Sequence, residues 1–138
     1  MVEVINAVAD VKQAEGKVLS FIKWHDQNNV IPHHVEKQRV SEHFKYGGTT
    51  DFDGLVNNEL FIIDYKSGGK EIYPEAWVQG MGNVQLYLEE HGVSPNMMVL
   101  KLGDNGAYQQ AIIDHPAKYW NIFYHLREIY KTQKELNL

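Results

Sequence analysis

The sequence predicts a single α/β domain over residues 1–138, with the element order α-β-β-β-α-β-β-α and a central mixed sheet flanked by helices. Three observations carry this. Two runs, Thr49 to Val56 and Glu59 to Lys66, read as strands on either side of Asn57-Asn58, a pair that tolerates the positive φ of a two-residue hairpin turn. Three longer stretches repeat apolar residues at helical spacing. Asp104-Asn105-Gly106 divides two further apolar runs as a second hairpin turn.

Taken in order, Asn6 or Asp10 can cap a first helix that runs to about Gln27. Val11, Ala14, Val18, Phe21 and Ile22 form its apolar stripe, and Gly16 lies inside it. Asn28 to Pro32 reads as a loop, because Pro32 bars helix continuation. Lys37 to Phe44 is the first strand, with Val40, Glu42 and Phe44 on one face, and Tyr46-Gly47-Gly48 is the turn after it. A two-residue turn at Asn57-Asn58 fixes the next register: Val56 faces Glu59, Leu55 faces Leu60, Asp53 faces Ile62, Asp51 faces Asp64 and Thr49 faces Lys66. Ser67-Gly68-Gly69-Lys70 reads as a flexible loop beside the site.

Pro74 suits the first turn of a helix and Glu75 complements its dipole. Trp77, Met81, Val84 and Leu88 are its apolar stripe. Gln79 projects almost opposite, with Asn83 and Tyr87 continuing its row. Gly92 is the stop residue. Strands follow at Met97 to Leu102 and Ala107 to Ile113. Asp114 caps a last helix with Pro116 at its start and a continuous apolar face of Tyr119, Ile122, Phe123, Leu126, Ile129 and Tyr130, and residues 131–138 fray. The three tryptophans, Trp24, Trp77 and Trp120, read as core.

Composition narrows the function. The chain has no cysteine, which excludes disulfides, thiolate zinc sites and iron–sulfur clusters. No apolar run approaches a membrane span and the acidic start (Glu3, Asp10) lacks signal-peptide character, so a cytoplasmic location is expected. A net charge of −5 counts against tight nucleic-acid binding, although Lys45, Lys66 and Lys70 cluster around the hairpin in sequence. The seven histidines show no metal-binding spacing and read as surface or loop residues.

The chemistry sits in the hairpin. Opposed residues have Cβ atoms about 4.5–5.5 Å apart, where like charges are destabilising. Asp51 opposite Asp64, at the end of the apolar strand Leu60-Phe61-Ile62-Ile63, therefore calls for a divalent cation. Mg²⁺ takes one or two carboxylates plus water and phosphate oxygens. Asp53, one pleat toward the turn, reads as an exposed edge residue.

Gly48-x-x-Asp51, then Asp64-x-Lys66 on an apolar strand, then a helix carrying Gln79, resembles the PD-(D/E)XK nuclease superfamily, nearest to its RecB-like and phage-exonuclease branch. Residues 40–92 carry the resemblance. One departure is Asn83, where the branch has a tyrosine four residues after the glutamine; the tyrosine comes at Tyr87. The resemblance implies a restriction-endonuclease-like core and Mg²⁺- or Mn²⁺-dependent hydrolysis of DNA. It makes Asp51, Asp64, Lys66 and Gln79 catalytic, and Asp51, Asp64 and the backbone carbonyl of Tyr65 metal ligands. For a third acidic ligand it leaves Glu36, slightly preferred, or Glu42, and His25 is the single histidine candidate from the first helix. Lys45, Ser67, Lys70, Asn83 and Tyr87 are the expected substrate contacts, Tyr87 better suited to packing.

A phage-type exonuclease of DNA processing or recombination is the expected function, in the host cytoplasm if phage-encoded. The alternatives are a branched-DNA (Holliday junction) endonuclease, an inactive DNA-binding or assembly module on the same frame, and a structural protein with a chance motif. The short chain points to a homo-oligomer or a recombination or replication partner protein, and to no membrane.

Overall fold

Asn57 and Asn58 both adopt positive φ, 50° and 68°. The strands beside them pair in the expected register, Val56 with Glu59, Leu55 with Leu60 and Asp53 with Ile62. The structure, a computed structural model, describes residues 2–67 and 71–138, with side chains at residue 12 and from residue 14 onward within them. Gly68-Gly69-Lys70 of the expected loop, and with it the substrate contact expected of Lys70, lie outside the described residues.

Eight elements stand in the expected order: α1 (Val2–Gln27), β1 (Val30–Ser41), β2 (Tyr46–Val56), β3 (Glu59–Ser67), α2 (Pro74–His91), β4 (Asn96–Leu102), β5 (Tyr108–Ile112) and α3 (Pro116–Glu135). The strands form one sheet in the order β1-β2-β3-β4-β5. All neighbours are antiparallel except β3 and β4, which run parallel and are bridged by α2. Trp24 and Phe21 of α1 pack with Phe52, Phe61, Ile63, Met98 and Leu100 on one face of the sheet. Ala76, Val84 and Tyr87 of α2, with Tyr119 of α3, pack with Ile62, Met97 and Val99 on the other.

Local expectations are corrected on α1, β1, α2 and α3. The expected stripe of α1 is largely exposed: Val18 by 57% and Ile22 by 48%, Ala14 is exposed and Phe21 half-buried, and the Val11 side chain lies outside the described set. Small residues and a tryptophan make the buried face instead. Gly16 crosses so close to the β4–β5 turn that a Cβ there would lie 1.5 Å from the Asp104 carbonyl oxygen. Ser20 donates to the Gly103 carbonyl at 2.6 Å, and the fully buried Trp24 donates from Nε1 to Gln110 Oε1 at 2.8 Å.

β1 begins at Val30 and takes in the expected loop. It is an edge strand, where a proline is tolerated because it has no ladder bond to give on the solvent side; the register shifts between Pro32 and His34. β1 ends at Ser41 and the turn is Glu42 to Lys45, not Tyr46-Gly47-Gly48. Ser41 accepts from the Phe44 and Lys45 amides, each at 2.9 Å.

α2 starts at Pro74 and stops at Gly92 (φ 74°) as expected. Of its expected stripe only Val84 is fully buried, because the helix is enclosed on two sides. Gly80 meets Met97 of the sheet, and Gly82 meets the Phe123 ring of α3.

On α3 the N-cap is His115, at φ 51°, not Asp114, and the helix continues to Glu135 instead of fraying at residue 131. Its apolar residues recur as expected but only Tyr119, Trp120, Phe123 and Arg127 are half-buried; Ile122, Leu126, Ile129 and Tyr130 are exposed. Among the described residues no helix is long and apolar enough to cross a membrane.

Gly16→Ala gains about 1 kcal/mol of helix propensity, but it must move α1 off the Asp104 carbonyl. Urea unfolding is expected to show a net loss of about 1–3 kcal/mol, the usual cost of overpacking.

Candidate active site

The β2–β3 ladder ends at Phe52–Ile63. Beyond it the two strands keep different partners. Residues 46–50 of β2 stay with β1 and residues 64–67 of β3 stay with β4. The sheet forks there, and both aspartates stand at the crotch. Asp51 Oδ2 accepts from the Tyr65 backbone N–H at 3.0 Å, taking the place of the ladder bond.

A break in alternation aims Asp51 this way. Arg39 reaches both Thr50 Oγ1 (3.4 Å) and Asp53 Oδ2 (2.9 Å), residues that strict alternation would put on opposite faces. The pleat therefore slips between them, at Asp51, level with Glu36, whose φ is 52°. Such irregularities re-aim side chains beside functional sites. Asp51 and Asp53 accordingly do not share a face in the expected regular way.

Asp64 follows Ile62 on the α2 side of β3, and Lys66 Nζ lies 3.1 Å from Asp64 Oδ2. Burial, then the neighbouring Asp51 carboxylate, push the Asp64 carboxyl up to about 6, against the opposing pull of Lys66. Two carboxylates held in contact in a half-buried crotch, one of them displaced this far, form a donor set suited to a hard divalent cation. Tyr65 points its ring to the α1 side, 6.0 Å from Phe21, and its hydroxyl is pushed up by burial and by Asp51.

A cleft of about 530 Å³ opens beside the fork, lined by Lys66, Ser67, Glu71, Tyr73, Glu75 and Gln79 among others. Gln79 is exposed, as expected, and projects from α2 into this cleft. Asn83, one turn on, sits against Gly48, where a Cβ would lie 2.7 Å from Asn83 Oδ1; the glycine of the motif is needed for this approach. Gln79 and Asn83 also line a second, polar depression of about 350 Å³ with Gly47, Thr49 and Arg127. Tyr73 and Arg127 were not singled out from sequence and Glu75 only as complementing the helix dipole, and no spacing in the chain marks them for these cavities.

Other expected participants lie elsewhere. Glu36 is exposed on the edge strand, and Glu42 is in the β1–β2 turn, 3.4 Å from Lys45 Nζ. Among the described residues no group of three or more His, Asp or Glu is placed to hold a metal. His25 is on α1, across the sheet. Lys45 is engaged by Glu42, and its carbonyl accepts from Arg127 Nη2. Tyr87 is 5% exposed under the Arg39 guanidinium, 5.0 Å from the ring centroid, which makes it packing and not a substrate contact.

The largest departure from expectation is Asp53. It is fully buried, with His34 Nδ1 at 2.8 Å and Arg39 Nη2 at 2.9 Å. Arg39 extends this network to Glu90 at the end of α2. An isolated buried charge is untenable, and a paired one ties its neighbours together; this network clamps β1, β2 and α2 two residues from Asp51.

No protein-family model matches the chain, and no curated protein matches it. Among solved structures, a protein from Eubacterium rectale described as a candidate exonuclease matches with a TM-score of 0.61 at 15% identity, over 91% of this chain and 52% of that one. The chain thus spans about half the length of that protein, and the two share a fold.

Two outcomes follow. Arg39→Met leaves the Asp53 carboxylate buried without its main partner, and urea unfolding is expected to show a loss of about 3–5 kcal/mol. Asp64 is protonated more readily in the folded chain than at its ordinary value of 3.8. Its stability contribution is therefore complete below that value and is lost as pH rises through about 6. In EDTA, Asp64→Asn should melt above the unmodified chain at pH 8, with the gap closing by pH 4; an equal gap at both pH values would contradict this.

Proposed function

We propose that the chain is a metal-dependent deoxyribonuclease of the PD-(D/E)XK type, acting as an exonuclease. The single observation that carries the reading is the fork: Asp51 and Asp64 meet where the sheet opens, with Lys66 at 3.1 Å from Asp64 and an open cleft beside them. The fold shared with the Eubacterium rectale protein supports it.

Asp51, Asp64 and the Tyr65 carbonyl would hold Mg²⁺ or Mn²⁺, and the ion, when bound, supplies Lewis-acid activation of water and neutralises phosphate charge. Lys66 places a positive charge at the same point, where it stabilises charge that grows on the phosphate oxygens during hydrolysis. Its pairing with Asp64 keeps it oriented toward the crotch. Gln79, on an exposed turn of α2, hydrogen-bonds the DNA backbone from the opposite wall. Ser67 and Asn83 line the path on either side. The burial of the Arg39–Asp53 clamp keeps Asp51 fixed while substrate enters and leaves.

The test is cleavage of linear, circular and branched DNA with Mg²⁺ or Mn²⁺, beside Asp51→Asn, Asp64→Asn and Lys66→Ala. Cutting from ends only, abolished in both aspartate variants and lowered by about 10²-fold or more in Lys66→Ala, is the expected result. Preference for branched DNA would make the protein a junction endonuclease. Metal binding, read by calorimetry, without cutting of any substrate would make it a binding module.

A further inference from the structure

Where α3 crosses α2, the two helices do not close on each other. They leave an apolar groove of about 510 Å³ walled by Val78, Ile122, Phe123, Leu126 and Tyr130. That is within the range of about 300–1,000 Å³ typical of small-molecule sites. Gly82 brings the Phe123 ring into the notch of α2, which sets the depth of the groove; Leu126 and Tyr130 stay 54% and 47% exposed on its far wall.

Three features say what fits it. Gln79 and Glu75 line both the groove and the cleft beside Asp64 and Lys66, so a chain leaving the cleft reaches the groove without a gap. Arg127 lies over the Tyr46 ring at 5.8 Å and the Tyr130 ring at 5.3 Å, and its Nε is closed to solvent with no acceptor among the described residues. Aromatic faces with a guanidinium between them are what stacked bases meet in single-strand binding proteins. Finally, α3 carries Lys118, Arg127, Lys131 and Lys134 against Glu128 and Glu135, a basic helix on an acidic chain, whose charge complements a phosphate backbone.

We propose that the α2–α3 groove holds an unpaired nucleobase of the DNA strand whose phosphate lies at the fork. The proposal rests on the nuclease reading and deepens it: the substrate end must be single-stranded, or frayed by at least one nucleotide, for its base to leave the stack and enter between Phe123, Leu126 and Tyr130. Unstacking is repaid by apolar burial and by contact with the aromatic walls.

The test uses the full chain carrying Lys66→Ala, so that binding is read without cutting. Fluorescence anisotropy in Mg²⁺ compares a labelled thymidine 12-mer with versions carrying one abasic residue at each position in turn. One position is expected to weaken binding by at least about fivefold, the loss of one stacked base. Adding Leu126→Glu, at an exposed site where the fold is unaffected, should bring the intact 12-mer down to the abasic level and leave the abasic version where it was. Binding that ignores every abasic position, base dependence that survives Leu126→Glu, or no binding to any strand would each overturn the proposal; the first would point to an apolar protein segment in the groove. Cleavage by the unsubstituted chain, measured alongside, reports on the nuclease reading separately. Cutting without base dependence sinks only the groove, and base dependence without cutting sinks only the catalysis.

Discussion

A backbone amide inside a sheet must find an acceptor, and the parting of β2 from β3 leaves the Tyr65 N–H without one. Asp51 supplies it from a side chain. This one substitution of carboxylate for carbonyl lets the sheet split without a buried orphan, and it delivers a carboxylate to the crotch. The same carboxylate that satisfies the strand is therefore beside Asp64, and burial, with this neighbouring acid second, raises the affinity of Asp64 for its proton. Structure and chemistry use the same group here. Replacing it by a residue with no acceptor would harm both at once, by about 1–3 kcal/mol on the structural side alone.

The fork depends in turn on what holds its two prongs. β3 is secured by β4 over seven residues, from Phe61–Asn96 to Ser67–Leu102. The β2 prong has only the edge strand β1 beside it, and an edge strand with a proline and two irregular points is a weak support by itself. The Arg39 network compensates. It ties Thr50 and Asp53 of β2 to Glu90 of α2, and Ser41 adds a hydrogen bond to Glu89 at 2.8 Å. Tyr46 adds another from its hydroxyl to the Gly82 carbonyl at 2.7 Å. The open prong is thus held to the helix as well as to β1.

Much of this was legible in the sequence because it is local. Asn57-Asn58 announces its own turn, Gly92 its own stop, and a two-residue loop carries the register up to Asp53–Ile62. The approach of Asp51 to Asp64 could be read for that reason, whereas the roles expected of Lys66 and Gln79 rest on the family resemblance. What was not legible depends on contacts across the fold. Asp53 reads as an exposed edge residue because its partners, His34 and Arg39, are on another strand and the pleat slips in between. The buried face of α1 is carried by Gly16 and Ser20, residues that hydropathy does not score as core, whereas Val18 and Ile22 score as core and lie outside. Glu36 shows the same dependence: level with Asp51 along the ladder, it is exposed and at a positive φ that no spacing in the sequence announces.

The parallel pairing of β3 with β4 has a consequence for how the molecule comes together. β1, β2 and β3 form a meander closed by short turns, so their contacts are near in sequence and cost little loop entropy. The β3–β4 pair closes only after the whole of α2 has been spanned, a contact of high sequence separation and slow formation. Yet among the described residues, residues 64–67 have no strand partner other than β4. A chain that has completed the meander owns Asp51 but has not yet placed Asp64 or Lys66. The two halves of the crotch thus depend on contacts of different reach: Asp51 sits in the local meander, whereas Asp64 and Lys66 are placed by the parallel pairing with β4.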